Sequence, residues 1–205
     1  MKVLLVNGSM HENGCTYTAL SEVAKSLNEN GIETEIFQLS GKKLSGCTGC
    51  WACKKAGKCV FDDCVNEFVE KAASCDGFVF GSPVYYASAS GALVSFMDKV
   101  FYSGGKKLAF KPAAAVVSCR RAGASTTFDV INKYFTINQM PIVSSNYWNE
   151  VHGNKAEEVL QDEEGLQTMR VLGNNMAWLL QCIQLGKEQG IAPKTEKKIW
   201  TNFVR

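Results

Sequence analysis

The sequence predicts a doubly wound α/β fold, a five-stranded parallel sheet of order 2-1-3-4-5 with helices on both faces. Three observations carry that expectation. Short β-rich apolar runs alternate with helix-period segments five times along the chain. Gly77 to Gly81 and Ala113 to Val117 are continuously apolar, as strands buried on both faces are. The 205 residues, 46% hydrophobic and 20% charged, suit one domain over residues 1–205 with one substantial core.

The elements follow in order. Lys2 to Val6 is an apolar strand ended by Asn7-Gly8-Ser9, and Tyr17 to Asn30 has helical periodicity closed by Gly31. Ile32 to Leu39 reads as the second strand. After a cysteine-rich stretch, Asp62 to Ser74 reads as a helix with Val65, Phe68, Val69 and Ala72 on one face. Gly77 to Gly81 is the third strand, Gly91 to Tyr102 a helix, Ala113 to Val117 the fourth strand and Thr126 to Ile137 another helix. Met140 to Val143 is expected to be the last strand, and Leu166 to Gln184 the long closing helix. Right-handed crossovers then reverse the winding between strands one and three. The ligand crevice is expected at their carboxyl ends, with the loop after strand four alongside.

Composition removes several function classes. A formal charge of +2 and the lack of a basic stripe interleaved with aromatics argue against nucleic acid as a partner. The opening MKVLLVNGS falls short of a signal-peptide core, and no later run is long enough to span a membrane, so a cytoplasmic protein is expected. Nine cysteines is an odd number, and in such a setting clustered thiols point to metal or redox chemistry, or to burial, before a disulfide framework.

Three loops meet at the expected crevice. GSMHENGCT, Gly8 to Thr16, joins a buried strand to a helix N-terminus and offers Ser9, Thr16 and two glycines for an anion. It is neither a Walker A loop nor G-x-G-x-x-G, so a terminal phosphomonoester suits it better than a triphosphate or pyrophosphate. GSPVYYASASG, Gly81 to Gly91, supplies Pro83, the flat faces of Tyr85 and Tyr86, and small residues from Ala87 onward. SCRRAGAST, Ser118 to Thr126, brings Arg120 and Arg121 for negative charge, one of them expected to be an ordinary surface arginine. Together these loops point to a planar heteroaromatic ring with a phosphate tail.

The segments VNGSMHENGCT, GCTGCWACKKAGKC and GSPVYYASASGALVSFMDKV resemble the NADPH-dependent FMN reductase family, in the branch containing the iron-sulfur flavoproteins. YWNEVHG and DEEGLQTMRVLGNNMAWLL resemble a subgroup of that branch. The resemblance implies a flavodoxin-like three-layer sandwich with FMN as cofactor. By it, the phosphate sits within Ser9 to Thr16 and the ring lies along Pro83, Val84, Tyr85, Tyr86 and Ala87, with Ser118, Arg120, Arg121 and Gly123 nearby. Family members read G-S-P-R-x-x-G-N-T in the first loop, whereas His11 and Cys15 stand here for the Arg and the Asn. Phosphate binding is then expected to rest on Ser9, Gly14, Thr16 and the helix terminus. The resemblance further implies hydride transfer from a transiently bound NAD(P)H to flavin N5 and onward to a small acceptor such as a quinone or free flavin. No protein acid, base or nucleophile is nominated, and His11 and His152 give little support to a hydrolase triad. A homodimer or homotetramer is expected from resemblance alone, with Tyr147 and Trp148 either walling the flavin pocket or packing elsewhere.

The stretch GCTGCWACKKAGKC places Cys47, Cys50, Cys53 and Cys59 at C-x2-C-x2-C-x5-C. This compact spacing suits a 4Fe-4S cluster better than a zinc ribbon, although the last gap and Val60 depart from the bacterial ferredoxin run. The alternative is a buried helix. Residues three apart are rotated by about 300°, so Cys47, Cys50 and Cys53 would share one face, with Lys54, Lys55 and Gly57 as last turn and cap. Three functions stay open: an NAD(P)H-dependent reductase of small acceptors, an iron-sulfur electron carrier between partner proteins, and a flavin-binding module without turnover. The mild positive charge, unlike the acidic surface of an ordinary flavodoxin, favours the first.

Overall fold

The computed structural model describes residues 1–201 and 203. In chain order the elements are β1 (Lys2–Asn7), α1 (Cys15–Glu29), β2 (Glu33–Gln38), α2 (Cys53–Ala56), α3 (Cys64–Ala73), β3 (Gly77–Tyr85) and β4 (Ser88–Ala89). There follow α4 (Gly91–Leu108), β5 (Ala113–Cys119), α5 (Ala124–Ile137), β6 (Glu150–His152), α6 (Ala156–Val159) and α7 (Glu163–Glu188). The main ladder runs β2-β1-β3-β5-β6, all parallel, with β4 turned back antiparallel on β3. With the β4 hairpin set aside, this is the expected order 2-1-3-4-5. Among the described residues no helix is long and apolar enough to cross a membrane.

Period-two alternation along β1 builds the two faces of the sheet. Val3 and Leu5 pack with α1 and α7, while Leu4 and Val6 pack with α3, α4 and α5. Phe68 of α3 sits at the centre of the second face, its ring 5.0 Å from Phe96 and 5.4 Å from Phe37. Full burial of each such ring contributes roughly 2–3 kcal/mol. A Cβ on Gly104 would come within 2.5 Å of Val69 of α3 and one on Gly105 within 2.9 Å of Asn138 Oδ1, and α4 runs past Tyr102 to Leu108 over these close approaches.

The last strand differs from expectation. Met140 to Val143 makes a single bridge to the sheet, Ala113 to Ile142, and Pro141 has no N–H to extend a ladder. The chain then loops out, with Ser145 Oγ hydrogen-bonded to Tyr147 O and Asn149 Oδ1, both at 2.7 Å. It returns as β6 beside Val117, Ser118 and Cys119. The edge is thus occupied in two pieces, and the piece at the carboxyl end carries its following loop to the crevice. The third strand also outruns its apolar core: β3 continues through Ser82, Pro83, Val84 and Tyr85. It then turns at Tyr86 and Ala87, whose φ angles of 51° and 57° make the left-handed pair that a tight hairpin needs.

Candidate functional site

At the carboxyl ends of β1, β3 and β5 the loops surround a cavity of about 670 Å³, within the size range of ligand pockets. The first loop is shaped from Asn7, which is fully buried. Its Nδ2 donates to Gln38 Oε1 at 2.7 Å and to Glu12 O at 3.2 Å, while its Oδ1 accepts from Ser9 N at 3.1 Å. Ser9 Oγ in turn accepts from His11 N at 3.0 Å. Gly8 N donates to Gly81 O at 2.9 Å, an approach that a Cβ on Gly8, 2.7 Å from that oxygen, would block. The loop delivers Gly14 as the N-cap of α1, with no capping side chain and no acidic residue in the first turn. Among the described residues the N–H groups of Glu12, Asn13 and Thr16 find no protein acceptor. A helix N-terminus with unspent donors facing a cavity is an anion site by its electrostatics.

The other walls are held to the first by specific contacts. Thr16 Oγ1 and Ser118 Oγ are 2.8 Å apart and buried, joining α1 to the end of β5. Pro83, Val84 and Tyr85 form one side, with Ser118, Cys119 and Arg120 beside them. Ser9, His11, Gly14, Cys15 and Thr16 line the cavity as expected from the sequence. Tyr86, Ala87, Arg121 and Gly123 do not. Tyr86 is fully exposed at the hairpin tip, and Ala87 and Gly123 brace that hairpin from behind. Gly123 has φ 88°, and a Cβ there would lie 2.7 Å from Ala87 Cα, while Thr126 Oγ1 donates to Ala87 O at 2.7 Å. Of the arginine pair, Arg120 is the one that reaches the cavity.

Sequence reasoning missed the fourth wall, Gly153, Asn154, Lys155, Ala156 and Glu157. They follow a strand of only three residues, too short to show alternation; the Gly153-Asn154 turn pair was the available signal. Cys15 Sγ contacts Gly153 O at 3.6 Å. Burial, and then Glu158 and Glu157, push the Cys15 thiol above its usual range; burial and Glu150 do the same to Cys119. Both thiols are thereby held in the protonated form at neutral pH. His152 lies outside the cavity, its N–H donating to Asp162 Oδ2 at 2.6 Å. Tyr147 and Trp148 lean on each other at 5.0 Å and do not wall this cavity.

The cysteine stretch is not a buried helix. Residues 44–51 have no regular structure, and positive φ angles at Gly49 (64°) and Trp51 (58°) break any helical run before Cys53. Glycines at 46 and 49 and a β-branched Thr48 explain why no helix forms there. The end of the expected helix does exist: α2 carries Lys54 and Lys55 in its last turn and stops at left-handed Gly57. Cys50 is exposed, Cys47 and Cys53 are half-buried and Cys59 is buried. Asn66 clamps Cys59, accepting its N–H and donating to its carbonyl, both at 2.9 Å.

All four thiol residues nonetheless line one small cavity with Phe61, Lys99 and Tyr102. Among the described residues no three His, Cys, Asp or Glu side chains gather tightly enough to hold a metal ion. The N–H groups of residues 43–53 have no protein acceptor among the described residues. Four thiol residues therefore line one cavity without closing on a single ion, in a loop whose amides are unspent.

The family profile described as NADPH-dependent FMN reductase matches residues 1–155. An iron-sulfur flavoprotein of Methanocaldococcus jannaschii is 34% identical over 195 residues, covering 90% of this chain and 100% of the relative. Among solved structures, RosB with bound 8-demethyl-8-formylriboflavin-5'-phosphate superposes at a TM-score of 0.71 and 15% identity, covering 100% of this chain and 92% of that one. A flavodoxin from the domain Archaea superposes at 0.62 and 14% identity, covering 88% and 99%. These two likenesses establish the flavodoxin-like fold. The match over residues 1–155, together with the relative aligned along its whole length, means that the chain belongs to the NADPH-dependent FMN reductase family, in the branch that includes the iron-sulfur flavoproteins.

Proposed function

We propose that the crevice binds FMN and that the protein is an oxidoreductase taking electrons from NAD(P)H and passing them to a small acceptor such as a quinone or free flavin. The observation that carries this is the uncapped N-terminus of α1, with unspent N–H donors, opening into a cavity walled by Pro83, Val84 and Tyr85. In this reading Ser9, Gly14, Thr16 and the α1 terminus hold the phosphate. Lys155, on the same cavity, supplies the cation that the first loop lacks with His11 in place of Arg. Pro83 to Tyr85 support the ring, and the braced turn at Tyr86 and Ala87 keeps that wall rigid. Arg120 offers its guanidinium to ring or nucleotide oxygens. FMN, when bound, supplies the hydride chemistry. The protein's residues bind, orient and exclude water, and the protonated Cys15 and Cys119 stay out of the chemistry.

The second reading, an iron-sulfur electron carrier, is favoured by one observation, the four cysteines around one cavity. Cys47, Cys50, Cys53 and Cys59 would hold the cluster, which would supply one-electron transfer. The exposed aromatics Tyr147, Trp148 and Trp178 support a homodimer or homotetramer, since such residues are enriched at interfaces.

Two anaerobic experiments separate these readings. Purified protein is expected to show flavin absorption that NADPH bleaches and a quinone restores over many turnovers. A bound flavin that neither NADPH nor NADH reduces would remove the reductase reading, and iron with acid-labile sulfide would then leave the carrier.

A further inference from the structure

The buried ion pair under the cysteine loop takes no part in the crevice chemistry. Lys99 of α4 is 1% exposed and its partner Asp63 6%. Asp63 is engaged on its other side as well: Oδ1 accepts from Val65 N at 3.0 Å, capping α3. Lys99 Nζ meets Asp63 Oδ2 and, at 3.4 Å, Ser45 Oγ, which accounts for two of its three N–H donors. Lys99 lines the four-thiol cavity and Asp63 does not, and its Nζ lies 5.6 Å from the ring centre of Phe61, which lines the same cavity. Burying a lysine is costly, and an apolar residue of similar volume would fill this place with less desolvation.

We propose that Lys99 is a positioning residue for a cysteine-held iron-sulfur cluster: its buried ammonium offsets the negative charge of four thiolates and raises the cluster's reduction potential. This rests on the cluster reading given above. Four thiolates brought around one small cavity repel one another, and a cation among them lowers that cost. Each electron added to the cluster makes it more negative. A fixed positive charge thus stabilises the reduced form more than the oxidised one, and cluster potentials respond to net local charge. One electron enters, supplied by dithionite in the test, and no bond is made or broken. At an effective dielectric constant of about 20, a unit charge about 12 Å away gives on the order of a tenfold change in the reduction equilibrium.

The experiment reconstitutes the full-length protein anaerobically with ferrous iron and sulfide. It then measures iron and sulfide per chain and the midpoint potential by EPR-monitored dithionite titration. The variants are Lys99→Arg, Asp63→Asn and the double variant Lys99→Met/Asp63→Asn, which leaves no buried charge unpaired and keeps an Asn to cap α3. Circular dichroism and bound flavin report the fold. The double variant removes the Asp63 charge as well, so it is expected to lower the equilibrium constant for reduction by less than tenfold, under about 59 mV for one electron, and to retain less iron. Lys99→Arg is expected to stay near wild type. Asp63→Asn, which unmasks the ammonium, is expected to raise the potential, and this opposite sign decides the matter even where the double variant does not fold. Wild-type protein that takes up no iron would overturn the cluster reading and this proposal together. A wild-type cluster whose potential moves in neither Asp63→Asn nor the double variant would overturn the role of Lys99 alone.

Discussion

The crevice and the cysteine loop are two cavities on one scaffold, and they are built in opposite ways. Around the crevice each segment is tied to a strand end: Gly8 N bonds Gly81 O, Thr16 meets Ser118, and Thr126 holds the hairpin at Ala87. Across the cysteine loop the N–H groups of residues 43–53 find no protein acceptor among the described residues, while Asn66 holds the backbone of Cys59 and Cys53 Sγ contacts Tyr102 O at 3.7 Å. A site whose donors are already aimed pays its ordering cost during folding. A site whose loop lacks such ties to the scaffold defers that cost to its ligand. The crevice should therefore be sensitive to packing changes and indifferent to iron, and the loop the reverse.

The strongest way to break this comparison is Gly8→Ala. The new methyl would lie 2.7 Å from Gly81 O and 2.8 Å from Leu93 Cβ, and backbone cannot yield cheaply. A loss of about 3 kcal/mol in urea unfolding is expected, with bound flavin lost on purification. Asn66→Ala should cost less, about 2 kcal/mol, by freeing both backbone groups of Cys59. It should leave flavin content unchanged and lower iron retention after reconstitution. Loss of flavin in this variant would mean that the two sites are coupled.

Ser118→Ala removes the buried partner of Thr16 and should cost about 1 kcal/mol, with FMN affinity weakened several-fold in a fluorescence titration. Smallest is Cys50→Ser on the exposed loop, expected within about 0.5 kcal/mol of wild type with flavin intact. A large stability loss there would show that the loop is packed more firmly than its hydrogen bonds imply.

Alkaline pH sharpens the contrast among the thiols. Burial raises Cys15, Cys64, Cys75 and Cys119 above the usual thiol range. Their stabilisation is complete below the unfolded-state value, about 8.5, because both states are then protonated. Above it the unfolded chain releases protons first, so stability falls as pH rises toward the folded values. Urea midpoints measured from pH 7 to pH 10 should decline through this window. At pH 8 a maleimide should label Cys50 and Cys182, both exposed, before these four.

Most of the fold was legible in the sequence because its strands are short, apolar and buried, and its helices carry a clear face. Ala113 to Val117 could be nothing but a central strand, and Val65, Phe68, Val69 and Ala72 do share the buried side of α3. The edge strand was not legible. Three residues, Glu150 to His152, have no periodicity to read, while Met140 to Val143 has the apolar look of a strand and makes one bridge. That error hid Gly153 to Glu157. The first loop was legible through its glycines and hydroxyls, and the arginine pair only as a pair.

By itself the sequence determined what is local: the strand and helix periods, the anion-binding character of a glycine-bearing turn before a helix, and the presence of four thiols within reach of one another. Tertiary structure alone decided which of these meet. Thr16 and Ser118 are 102 residues apart, and Lys99 is buried against Asp63 from 36 residues away. Such meetings depend on how sheet and helices pack in three dimensions, which no local period encodes. The same packing turned Arg120 toward the crevice and not Arg121, and put a buried cation beneath the cysteines.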